Sequence, residues 1–184
     1  MHSSLADVIH AWHDFYILVG TASATLVGLM FVAASIGAQV FTERNREAMR
    51  AFISPTVVHF TAVLLICIGA AIPSQTWATS ALLLALGGVA GVIYSARLWV
   101  HLYIHHTFAV DVIDRLFYAL IPIVGYLLVV GSAVLLFERS QWGLEALALA
   151  LLTLLLAGIR NAWDMTMWIV IRVPVAPVEK NSAS

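Results

Sequence analysis

The sequence predicts an all-α fold: a polytopic membrane helix bundle of five transmembrane helices, with the N-terminus outside and the C-terminus in the cytoplasm. Three observations carry this expectation. Hydrophobic residues make up 62% of the 184 residues and charged residues only 10%, whereas a soluble domain carries about 25% charge. The mean hydropathy is +0.97. The apolar residues also fall into long runs separated by short polar connections, and a bilayer core of roughly 30 Å takes about 20 helical residues to cross.

The runs are 15–41, 56–73, 77–104, 116–137 and 143–171, within one domain covering 1–184. The first follows MHSSLADVIHAWHD, which has no Lys or Arg and carries Asp7 and Asp14. A secretory signal begins with a positive region and has a shorter apolar stretch, so the run is expected to be a retained span. For the second, Ser54 is placed to cap the helix with Pro55 at its first position, and Pro73 to close it. Ser74, Gln75 and Thr76 then form a tight hairpin into the third. Pro122 should bend the fourth near its start, and Pro174 and Pro177 should stop the fifth.

Orientation follows from where the basic residues lie, since cytoplasmic loops are enriched in Lys and Arg. Arg44, Arg46 and Arg50 follow the first run, Arg115 opens the fourth, Arg172 and Lys180 lie in the tail, and only Arg139 falls on the other side. Trp12, Tyr16, Trp77 and Trp142 are then expected in an outer aromatic belt, and Trp99, Tyr103, Tyr118, Trp163 and Trp168 in an inner one. The expected location is the inner membrane of a bacterial cell, as a multi-pass protein. Five spans cannot be halved into an inverted repeat. The net charge of -1 with no basic patch excludes nucleic acid as a partner, and the lone Cys67 forms no intrachain disulfide.

On the first run, Thr21, Thr25, Gly28, Val32, Ser35 and Gln39 recur at intervals of four and three, which confines them to a helical stripe about 80° wide. Such a face can line water, with Val32 as a dewetting constriction. Small residues also let helices approach closely in lipid, so packing is the competing reading. Gly20, Ala24 and Gly28, and likewise Gly87, Gly91 and Ser95, have the spacing of close-contact faces.

The topology brings a second set, His59, Arg97, His101, Asp114, Arg160, Asn161 and Asp164, to one depth in the inner half. Ionisable groups within spans are costly and face the bundle interior with a partner. Arg97 or Arg160 should therefore pair with Asp164 or Asp114. The cluster reads either as an ion-paired belt pinning the helices or as a vestibule, ion site or proton relay through His59.

Histidines raise metal or haem chemistry. His101, His105 and His106 superficially resemble one box of membrane di-iron desaturases, and His10, His13 and Asp14 share a helix face. Those enzymes use several boxes, while here the histidines are split between both sides. A bis-histidine haem between His59 and His101 is geometrically conceivable. No cofactor and no metal ligand set is assigned, and no nucleophile–base pair or phosphate loop is visible.

The stretch FYILVGTASATLVGLMFVAASIG, together with GIRNAWDMTMW near the end, resembles small uncharacterised bacterial multi-pass integral membrane proteins. The resemblance covers chiefly the first span and the inner half of the fifth. It implies a bacterial membrane protein and draws attention to Arg160, Asn161 and Asp164 without giving them a role. The leading expectation is a homo-oligomeric pathway for a small ion or solute. A non-conducting accessory or scaffold subunit working with other membrane subunits comes second, and a metal- or haem-dependent membrane enzyme third.

Overall fold

The computed structural model describes residues 5–37, 43–72, 76–104, 116–140 and 142–172, with side chains over 12–36, 55–72, 76–100, 117–140 and 142–167. The elements in chain order are α1 (Leu5–Gly37), α2 (Glu43–Ala71), α3 (Trp77–Ile104), a π-helical turn (Leu116–Leu120), α4 (Ile121–Phe137) and α5 (Trp142–Arg172). No strand occurs among the described residues. Four stretches are long and apolar enough to cross a bilayer: Trp12–Ile36, Trp77–Val100, Phe117–Phe137 and Trp142–Met167. The apolar part of α2, Pro55–Ala71, is shorter. It rises about 26 Å, a few Å less than the hydrocarbon thickness. Large apolar side chains cover the outside, with Leu18 69% and Phe137 71% exposed. A surface of that kind belongs in lipid, because water-soluble monomers rarely expose contiguous apolar patches of such extent.

The helices begin earlier than the hydropathy edges. α1 starts at Leu5 because Leu5, Ile9 and Trp12 continue a helical apolar spacing upstream of Phe15. α2 starts at Glu43, so Pro55 lies inside the helix and not in its first turn as expected. The preceding segment ERNREAMRA is rich in strong helix formers, and their summed propensity outweighs the one hydrogen bond that Pro55 removes. α3 starts where expected, but its cap is Thr76: the Thr79 N–H donates to Thr76 Oγ1 at 3.2 Å and the Thr76 N–H donates to Thr79 Oγ1 at 2.9 Å. This is a reciprocal capping box. Ser74, Gln75, Pro73, Pro174 and Pro177 lie outside the described residues.

α5 is the central post. In its apolar 18-residue window 56% of residues are buried, against 22% in that of α1. α1 packs on α2, α2 on α5, α5 on α4 and α4 on α3, while α3 meets α2 only lightly. Absent side chains make these contacts close. A Cβ at Gly125 would lie 2.7 Å from Leu154 of α5, one at Gly88 2.7 Å from Val130 of α4, and one at Gly20 3.0 Å from the Cys67 side chain of α2. At Gly91 a Cβ would run into the Tyr126 ring. Ser23 adds a polar tie, donating to the Phe60 carbonyl at 2.7 Å. Of the two glycine ladders, Gly20, Gly91 and Ser95 are buried, whereas Gly87 and Gly28 face open space.

The aromatic belts need correction at two positions. Tyr16 and Tyr118 turn into the bundle and are buried, because each finds a place there. Tyr118 donates to the Asn161 carbonyl at 3.3 Å, and Tyr16 packs edge-on against Phe15. Trp142, Trp163 and Trp99 are exposed, and Trp12 and Trp77 pack partly against the core.

The α4–α5 hairpin ends α4 in a Schellman motif. The Ser140 N–H donates to the Leu135 carbonyl at 2.9 Å and the Arg139 N–H to the Leu136 carbonyl at 3.0 Å. Arg139 holds φ at 58°, a left-handed conformation that costs an L-residue roughly 1–2 kcal/mol and favours glycine. Gly143 supports the turn by allowing α5 to lie against Leu136. Arg139→Gly is expected to stabilise the protein by up to about 1 kcal/mol, visible as a higher unfolding midpoint in detergent. A lower midpoint would show that the Arg139 side chain, and not its backbone, holds the turn.

Candidate functional site

Two constellations meet the description of a site, and they occupy different parts of the bundle. The first is the α1 stripe. Thr21, Thr25, Gly28, Val32 and Ser35 are all exposed, with Val32 at 55%, and no atom of the bundle comes within 4 Å of a Cβ built on Gly28. This face therefore does not serve packing inside the subunit. Thr25 donates to the Thr21 carbonyl at 2.9 Å and Ser35 to the Phe31 carbonyl at 2.8 Å. Each hydroxyl proton is thus satisfied within the helix, and the oxygen still offers a lone pair outward. Gln39 lies outside the described residues.

The second constellation surrounds His59, which is fully buried on α2. Its Nδ1 and the Tyr126 hydroxyl are hydrogen-bonded at 3.0 Å, with the direction set by the imidazole tautomer. Tyr94 of α3 meets the imidazole edge to face, with ring centres 6.3 Å apart. His59 Nε2, Ser95 Oγ, Asn161 Oδ1 and Asp164 Oδ2 are buried and have no hydrogen-bond partner among the described residues. Buried polar atoms in proteins nearly always find a partner. These four atoms lie on α2, α3 and α5 and are the polar groups of this set left unsatisfied among the described residues.

Of the expected ion pairs, Arg160 with Asp164 is present, but within one helix and not between helices. Arg160 pairs with Asp164 one turn along the same helix, both partly exposed at 37% and 28%. The Arg160 guanidinium also stacks over the Phe117 ring, 5.5 Å from its centre. An intrahelical i,i+4 pair of this exposure contributes little, about 0.3–0.5 kcal/mol in water. Arg97 is exposed. The His101 side chain and all of Asp114 lie outside the described residues.

Asn161 has a defined structural task. In a π turn each carbonyl pairs with the N–H five residues on. For Phe117 that residue is Pro122, which has no N–H. The Asn161 Nδ2 donates to the Phe117 carbonyl at 3.3 Å, supplying the missing donor. Tyr118, in the same turn, closes the arrangement by donating to the Asn161 backbone carbonyl. The bend expected at Pro122 is therefore a π turn buttressed from α5.

Sequence reading missed Tyr126, Ser23 and Tyr118 as polar partners and Tyr94 as a ring contact of His59. A tyrosine in mid-span carries a hydroxyl that needs an acceptor or donor, and Gly91 marks where such a ring can lie against the neighbouring helix. Among the described residues no group of three or more His, Cys, Asp and Glu side chains comes together. His13 is exposed, while the side chains of His10, His105 and His106 lie outside the described residues.

A double-mutant cycle tests the role of Asn161. Asn161→Leu strands a buried carbonyl and should cost about 1–3 kcal/mol. The same change in a Pro122→Ala background should cost markedly less, because an alanine at that position brings its own N–H. Equal losses in both backgrounds, read from thermal or denaturant unfolding, would refute the pairing. Compared with protein-family models, curated proteins and solved structures, the chain matches none.

Proposed function

We propose that the protein is a five-span protein of the bacterial inner membrane, N-terminus outside, that assembles with copies of itself and provides a pathway for a small ion or solute along α1. The observation that supports this reading is the open α1 face. Thr21, Thr25, Gly28, Val32 and Ser35 are exposed together, whereas many other outward positions, such as Leu65, Leu82, Leu86 and Leu149, are bulky and aliphatic. Acyl chains gain nothing from a surface of glycine and hydroxyls, whereas water or a second helix does. Across a symmetric assembly these residues would ring an axis, with Val32 as its apolar constriction between turns bearing Thr25 and Ser35.

One observation favours the accessory-subunit reading. The Thr25 and Ser35 hydroxyls are already bonded to their own helix, which suits a dry contact with another subunit as well as a wet lumen. Reconstitution separates the two. Val32→Ser should ease wetting and raise ion or solute flux through vesicles, and Thr25→Trp should block it. In a dry interface Thr25→Trp should instead dissociate the assembly or destabilise it by about 1–3 kcal/mol. Flux equal to that of empty vesicles across varied ions, pH and voltage, with a destabilised Thr25→Trp, would decide for the accessory subunit.

The orientation rests on the basic residues and has its own test. In a Cys67→Ala background, a cysteine at Ser4 or Ser140 should react with an impermeant thiol reagent added to intact cells. One at Asn45 or Ser182 should react only after lysis. The reverse pattern would put the His59 region in the outer half of the membrane.

A further inference from the structure

The light contact between α2 and α3 leaves a cavity of about 750 Å³, within the ~300–1,000 Å³ range of small-molecule sites. Its walls are the facing sides of α2 and α3, and Tyr126, Leu136 and Leu147 contribute from α4 and α5. The lining is almost wholly apolar. Leu65, Ile68 and Leu83 belong to it and are also exposed on the outer surface, so the cavity opens sideways between the helices toward the bilayer. An occupant therefore arrives from the membrane.

Length and polarity narrow its chemistry. From Ser80 to Tyr94, both in the lining, α3 rises roughly 21 Å. That is more than half of the ~30 Å hydrocarbon core, so the groove suits one long extended chain. An unsatisfied hydroxyl stands at one end. Tyr16 lines the cavity, is 1% exposed, and its hydroxyl has no hydrogen-bond partner among the described residues. Gly20 abuts Cys67 and α1 and α2 run antiparallel, which puts Tyr16 level with the end of α2, near Ser80 and Leu144. Trp12 lies about 6 Å further along α1, and tryptophan marks the interface with the headgroups. A donor at that depth meets the ester carbonyls of a glycerolipid.

We propose that the α2–α3 groove is a binding site for one membrane glycerolipid, which threads an acyl chain between the helices and accepts a hydrogen bond from Tyr16 at its ester carbonyl. The site is separate from the α1 face and does not depend on whether that face conducts.

Gly87 provides a clean test. It lines the groove, and a Cβ added there meets nothing within 4 Å, so Gly87→Phe fills the groove without disturbing the bundle. Ala90→Phe, at a second lining position, does the same. Gly131 is equally open but lies outside the lining, which makes Gly131→Phe the control. The probe is phosphatidylglycerol with a photoreactive diazirine near the end of one acyl chain, added to protein delipidated in mild detergent. Crosslinks should concentrate on the facing sides of α2 and α3. They should fall about tenfold in Gly87→Phe and Ala90→Phe, persist in Gly131→Phe, and weaken by roughly threefold to tenfold in Tyr16→Phe through loss of one hydrogen bond. Unlabelled glycerolipid should compete. Crosslinks spread evenly over the outer surface and unmoved by Gly87→Phe and Ala90→Phe would reduce the lipid to an annular contact and overturn the site. Competition by an isoprenoid quinone but not by glycerolipid would overturn the assigned ligand.

Discussion

A backbone carbonyl inside a bilayer has to find its donor within the protein, and Pro122 removes one from the chain at the depth where α3, α4 and α5 come together. The structure around the π turn is arranged to meet that deficit. The helix widens into a π turn over Leu116–Leu120, Asn161 reaches across from α5 to the Phe117 carbonyl, and Tyr118 returns a hydrogen bond to the Asn161 carbonyl. Because these bonds join the π turn to the central helix, they fix the register of α4 on α5. That register places Gly125 against Leu154 and Tyr126 beside His59. A side chain that first reads as a site candidate, Asn161, is thus spent largely on the backbone, with Oδ1 alone left over.

The same register explains why His59 is buried at all. Gly91 leaves room for the Tyr126 ring on α3, and Tyr126 brings its hydroxyl to Nδ1 from the side of α4. Phe60, the next residue, is matched on α5 by Gly158, so α2 can approach the central post closely. Glycines thus mark where the helices touch: α1 on α2 at Gly20, α2 on α5 at Gly158, α4 on α5 at Gly125, and α3 on α4 at Gly88 and Gly91. Among the described residues no glycine makes a comparable close approach of α2 to α3, and the groove is the consequence.

The apolar runs were legible in the sequence because hydropathy reports on the lipid phase directly, and each run falls on a helix of the described residues. The edges were less legible. Pro55 reads as a helix start by local chemistry, yet helix formers upstream carry α2 through it, and hydropathy is blind to Leu5–Asp14 because a helix can extend beyond its apolar part. The α1 stripe was visible as a pattern, but periodicity does not say which way a face points. The structure turns that face away from the other helices. The burial of His59 and Asn161 could be suspected from their place within apolar runs, whereas their partners could not, since Tyr126 and Phe117 are brought to them by the packing of distant segments.

Two outward surfaces of the bundle therefore differ in physical character. Along the stripe from Thr21 to Ser35 on α1 the surface is small and hydroxyl-bearing, and the Thr25 and Ser35 protons are satisfied locally. Between α2 and α3 it is concave and aliphatic, with one unsatisfied hydroxyl at Tyr16. Tyr16 and Thr21 sit on the same helix scarcely more than a turn apart, one buried toward the groove and the other exposed on the open face. α1 is held to the bundle mainly through α2, and only 22% of its apolar 18-residue window is buried. Tyr16 therefore stands where the groove meets the end of α1 at which the open face begins.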